Sequence, residues 1–210
     1  DDFEQVNMKK GNWLVLARTK FMLNDLEDTL YSQGLYYQNK FKTNREQDLY
    51  TAVNDWENLR KGVDINYDQI SRISSYMSEK HFEKNCLKYM DKDARHTMQS
   101  LRERMWLKTN DVWYNAFDNA PQKKVRYIRR MRENGEKLNS APRITLSTIH
   151  GVKGGEQDNV VLLTDLSRNT QRNYEQNPDD ENRLFYVGAT RAKNHLHIIR
   201  PKDIYKGYKI

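Results

Sequence analysis

Between positions 159 and 166 the chain reads NVVLLTDL, and Val160, Val161, Leu162 and Leu163 follow one another with no polar side chain between them. A strand that is apolar on both faces belongs inside a parallel sheet covered by helices on each side. The flanks agree with that placement. ITLSTIH (144–150) alternates apolar and hydroxyl side chains as a strand does, and GVKGGE (151–156) turns. After a polar loop, 179–193 has helical spacing and an acidic start, which suits the positive end of a helix dipole, and HLHII (195–199) returns as a strand.

At about 100° per residue, Arg183, Tyr186, Thr190 and Arg191 fall within a sector of roughly 140° on that helix. Phe185, Gly188, Ala189 and Ala192 occupy the other side. Small residues let one side lie close on a sheet. The opposite side then offers two guanidiniums and a hydroxyl to an anion.

STIHGVKGGEQDNVVLL resembles motif V, and ENRLFYVGATRAKNHL motif VI, of the UvrD/Rep-like superfamily 1 DNA helicases, in order and about thirty residues apart. WLVLART (13–19), followed by an amphipathic helix, is similar to the strand that opens the later part of their second RecA-like domain. The resemblance implies an α/β fold: a RecA-like parallel sheet flanked by helices and interrupted by an all-α inserted subdomain. It further implies that Arg191 is an arginine finger, catalytic toward the γ-phosphoryl of ATP. Gly155 permits close backbone approach beside Glu156, whose carboxylate accepts hydrogen bonds from the ATP ribose. Thr148 and His150 match positions that contact single-stranded DNA, and Lys153 joins them as a phosphate partner.

The rest of the chain is organised around that segment. The stretch 1–11 is polar, lacks an initiator Met and reads as a cut edge, so the 210 residues are expected to be a fragment. WLVLA (13–17) reads as a strand, Thr19 as a cap for a helix over 20–33, Gly34 as its C′ residue, and 35–40 as a short tyrosine-rich strand. From about Lys42 the pattern becomes helical, over 46–60, 67–77, 79–90, 93–107, 111–117 and 122–132. Trp56, Leu59, Ile70, Ile73 and Met77 are the candidate core of this block. The expected organisation is a RecA-like domain over 1–42 and 143–210 with a helical insert over 43–142. Mean hydropathy is −1.03 and 31% of residues are charged, values that alone would allow disorder, but four Trp and thirteen Tyr supply the bulk for compact cores.

Charge and motif content narrow the chemistry. The stretch 122–143 carries eight Lys and Arg against two Glu, a balance of +6 in a chain of net +7. It can track a nucleic-acid backbone or stand as a solvated helix face. A single cysteine, Cys86, excludes an intrachain disulfide and fits a reducing compartment. No apolar run approaches the roughly 20 residues that span a bilayer, so a cytoplasmic, nucleoid-associated location is expected and no membrane partner. His195 and His197 share one side of a strand without a third ligand, and no metal site is expected. No GxxxxGK[ST] occurs, so ATP and Mg²⁺ must be held mainly by another, amino-terminal RecA-like domain. The expected partners are that domain, single-stranded DNA and single/double-strand junctions. The alternative is a non-catalytic nucleic-acid-binding α/β module, and nothing in these residues separates a DNA from an RNA track.

Overall fold

The computed structural model describes residues 2–42, 47–137, 140–152, 154–203 and 205–209. Two compact units form, one from Asp1–Asn44 and Arg130–Ile210, the other from Arg45–Arg129.

The first unit is a parallel sheet of β1 (Trp13–Ala17), β2 (Tyr37–Asn39), β3 (Ile144–Thr148), β4 (Gln157–Leu163) and β5 (Ala192–Ile199), ordered β2-β3-β1-β4-β5. β1 is the centre, paired with β3 from Trp13↔Ile144 to Ala17↔Thr148 and with β4 from Trp13↔Asn159 to Leu16↔Leu162. All five residues of β1 are buried, which is why WLVLA carries no polar side chain.

Alternation along the strands builds two cores. Trp13, Val15, Ile144, Leu146, Val161 and Leu163 face Leu23, Leu26 and Leu30 of α1 (Leu23–Gln33). On the other face Leu14, Leu16, Val160 and Leu162 meet Ile149, Val152 and Phe185, the last on α8 (Pro178–Ala189). Each such aliphatic side chain stabilises the fold by about 1.5–3 kcal/mol relative to exposure. A parallel α/β sheet with helices on both faces is therefore what the aliphatic run at 159–166 requires, and it agrees with the RecA-like fold that the resemblance implies.

Gly34 closes α1 in the left-handed region at φ 68°, and its missing side chain leaves room for the Arg130 backbone, 2.9 Å from where a Cβ would sit. Arg130 donates to the Ser32 carbonyl and the Asn134 amide to the Gln33 carbonyl at 2.8 Å. Thr19 does not cap this helix. Its hydroxyl is buried without a hydrogen-bond partner among the described residues, because a 3-10 turn over Lys20–Met22 intervenes before α1 begins.

In the second unit α2 (Gln47–Arg60) packs with α3 (Tyr67–Ser75), whose Asn66 and Gln69 form a reciprocal capping box. Trp56, Leu59, Ile70, Ile73 and Met77 are all buried, as their spacing predicts. The start of α2 expected at Glu46 lies outside the described residues. α4 (Met98–Glu103), α5 (Trp113–Ala116) and α6 (Gln122–Glu133) follow, and the boundary between the units falls within α6.

Two expected helices are much shorter than the periodicity suggests. Over 79–90 only the 3-10 turn Lys84–Lys88 forms, since Phe82 bridges Leu107 and the Glu83 N–H donates to the Trp106 carbonyl at 2.8 Å. Over 93–107 helix is confined to α4, because His96 is drawn into a bridge with Ile65 and Met105 turns the chain at φ 58°. In both places a long-range backbone pairing outcompetes local helix.

Candidate functional site

The residues singled out from the sequence lie at opposite ends of the sheet. At the amino ends of β4 and β5, Gln157 is in register with Ala192, and the Gln157 N–H donates to the Arg191 carbonyl at 3.0 Å. Glu156 and Arg191 therefore leave neighbouring strands side by side. The pairing then slips, two steps on β4 against three on β5, a bulge that re-aims the side chains next to it.

Arg191 is not on the helix, as its wheel position implied. α8 stops at Ala189, Thr190 turns its hydroxyl onto the Val187 carbonyl at 3.0 Å, and the Arg191 N–H reaches Gly188. The Arg191 Nε donates to the same Val187 carbonyl at 3.0 Å. A guanidinium satisfying the last carbonyls of a helix is an ordinary way to end one. β5 consequently begins at Ala192, three residues earlier than the HLHII run marks it. The Arg191 Nη groups and the exposed Glu156 carboxylate make no ion pair among the described residues.

Behind this edge α8 sits close on the sheet. A Cβ on Gly188 would come within 3.0 Å of Leu162 Cδ1 and 3.4 Å of Ile149, so a larger residue would lift the helix. Phe185 is buried on the same side, stacked on Tyr208 with centroids 4.0 Å apart, and burial pushes the Tyr208 phenol up. Arg183 and Tyr186 are exposed, as the wheel requires.

At the carboxyl ends of β1 and β3 stands the second group. The buried Thr148 hydroxyl accepts the Gly151 N–H at 3.1 Å, folding the turn that leaves His150 exposed. Gly151 has no room for a side chain: a Cβ would sit 2.8 Å from Ser147 Oγ. Gly154, at φ 74°, turns the chain toward Gly155 and Glu156. Lys153 lies outside the described residues.

His150 lines a cleft of about 740 Å³ together with Arg18, Asp180, Glu181 and Arg183. Arg18 follows the last residue of β1 and grips Glu181 in the first turn of α8 through two nitrogens, at 2.8 Å from Nε and 2.8 Å from Nη2. Sequence reasoning missed Arg18. The available signal was a lone guanidinium directly after an all-apolar strand, at the strand end where open α/β sheets bind ligands.

β4 is seven residues long, which at about 3.3 Å per residue separates the two groups by roughly 20 Å. The fold and these two groups define a RecA-like domain with separate polar sites at the two ends of its sheet. The profile of the UvrD-like helicase C-terminal domain matches residues 15–203, and the chain belongs to that family. Comparison with curated proteins gave no match. Among the described residues no helix is long and apolar enough to cross a membrane, and no three His, Cys, Asp or Glu gather as a metal site.

Proposed function

We propose that this domain is the carboxy-terminal motor half of an ATP-dependent DNA helicase or translocase, coupling ATP hydrolysis to movement on single-stranded DNA and to duplex unwinding. The observation that carries the reading is the Arg191 guanidinium beside the Glu156 carboxylate, neither of them in an ion pair among the described residues. A cation and an anion on adjacent strand starts would ordinarily pair. Left open, they suit a ligand that offers phosphate to one and hydroxyl to the other.

The donor set fits a nucleotide held mainly from elsewhere. Bound ATP supplies phosphoryl transfer, and Mg²⁺ rests chiefly with a P-loop domain, since these residues contain no cradle for the β- and γ-phosphates. Arg191 stabilises the negative charge that develops on the transferred group, a contribution of about 10³–10⁵ in kcat for arginine fingers. Its Nε bond to the Val187 carbonyl orients the guanidinium, whose Nη groups make no ion pair among the described residues and remain for that phosphoryl group. Glu156 accepts from the ribose, and Gly155 keeps the backbone low beside it. At the far end of the sheet His150 holds the strand, with Thr148 bracing the turn that presents it, and Lys153, which lies outside the described residues, serves as a further phosphate partner.

Phosphate release by this chain alone, with saturating single-stranded DNA, tests the half-site reading. The expected result is no turnover, while a product that joins the same chain to its P-loop domain reaches the usual enzymatic scale of about 1 per second or more. Turnover by the isolated chain overturns the half-site assignment. Absence of turnover in the joined product leaves a non-catalytic nucleic-acid module.

A further inference from the structure

Among the described residues, the lining of the cleft at the carboxyl ends of β1 and β3 carries no surplus of positive charge. Its two guanidiniums, Arg18 and Arg183, stand against two carboxylates, Asp180 and Glu181, and Arg18 is already committed to Glu181. Phosphate tracks are built from excess cations, so the interior of this cleft is suited to a neutral ligand rich in hydrogen-bonding edges.

Three primary amides supply that chemistry. Asn173 and Gln176 on α7 (Arg168–Gln176), and Asn177 at its junction with α8, line the cleft and are exposed. None of their side chains hydrogen-bonds within the described residues, whereas Gln171, on the same helix, is tied to Glu175 at 3.0 Å. Asn177 is the more telling case. It occupies the N-cap of α8, where an asparagine side chain normally satisfies a backbone N–H, yet it makes no capping bond. Pro178 at the first helical position removes one of the donors that a cap would serve.

A primary amide presents a donor and an acceptor side by side, the complement of a nucleobase edge. We propose that this cleft takes the bases of a single strand, edge first, and that Asn173, Gln176 and Asn177 read them while the phosphates run along the rim past His150. The inference rests on the reading that DNA crosses this end of the sheet. It adds base contacts that the phosphate-directed assignments of His150 and Lys153 do not include.

The test compares binding of the chain to two fluorescent strands of about twelve units, one of deoxyadenosine and one abasic with the same phosphates, at about 50 and 200 mM salt. The wild type is expected to bind the base-bearing strand at least about ten-fold more tightly, with the same salt dependence for both. In the triple variant Asn173→Ala/Gln176→Ala/Asn177→Ala that difference shrinks to about two-fold or less while abasic affinity is unchanged. Gln171→Ala retains the full difference. All three positions are exposed, and circular dichroism of each variant verifies that it is folded. Equal wild-type affinity for the two strands overturns the inference, as does a triple variant that keeps the ten-fold difference. Failure to bind either strand overturns the nucleic-acid reading on which it depends.

Discussion

Removing Arg18 should leave the Glu181 carboxylate charged, buried and without its partner. The Glu181 side chain is 7% exposed and accepts three contacts from the guanidinium, at 2.8, 2.8 and 3.1 Å. Stranding one member of a buried pair costs about 3–5 kcal/mol, and because Arg18 itself is 22% exposed the lower end applies, about 3 kcal/mol. That is a large part of the 5–15 kcal/mol that typically holds a domain together. Arg18→Met with Glu181→Leu removes both charges and keeps apolar bulk, so it should lie within about 1 kcal/mol of wild type, the residue being the lost carboxylate at the start of α8. Urea titration read by hydrogen exchange in β1 and β3 confines the measurement to the sheet unit. A loss below about 0.5 kcal/mol for Arg18→Ala, or a double variant as unstable as the single one, would mean that Glu181 is not stranded by the loss of Arg18.

Other expectations concern the helical unit. Burial, with Glu83 nearby, pushes the Cys86 thiol up to about 11, so in native buffer near pH 8 it should resist thiol reagents and become labelled only as urea opens the unit; labelling at the rate of a free thiol would contradict this. Burial acts to raise the Asp118 carboxyl, but the hydroxyl and N–H of Ser78, at 2.5 and 2.8 Å, and His81 outweigh it and hold the carboxyl below its ordinary range. A folded-state value below the unfolded one stabilises fully above about pH 4 and is lost as pH falls through the folded value. Asp118→Asn should therefore cost stability at neutral pH and almost nothing in strong acid, and an equal cost at both in urea titrations would show the carboxylate to be unimportant.

The parts legible in the sequence are those where one physical demand dominates. NVVLL admits only a strand buried on both faces, Gly34 only a left-handed helix end, and the wheel over 179–189 separates Phe185 and Gly188 from Arg183 and Tyr186 as found. Periodicity reports which side of an element is buried, but not where the element stops. It could not reveal that Arg191 caps α8 from the following turn, nor that Phe82 and His96 pair with strand-like partners outside their own segments. Arg18 and the cleft it lines depend on residues more than 160 positions apart, Arg18 and Glu181, which no local pattern connects. The three amides that make no hydrogen bond among the described residues are equally silent, since nothing in a sequence distinguishes an Asn that caps a helix from one that does not.

The proposed function has two anions served at opposite ends of one sheet, roughly 20 Å apart. Its most direct test is a paired measurement, in the product carrying the P-loop domain, of ATP hydrolysis and of single-stranded DNA affinity without nucleotide for Arg191→Ala and His150→Ala. Arg191→Ala should lower kcat by a factor of about 10³ or more and leave DNA affinity nearly unchanged. His150→Ala should weaken DNA binding and leave hydrolysis nearly intact once DNA is saturating. Equal loss of DNA affinity in the two variants would contradict the separation.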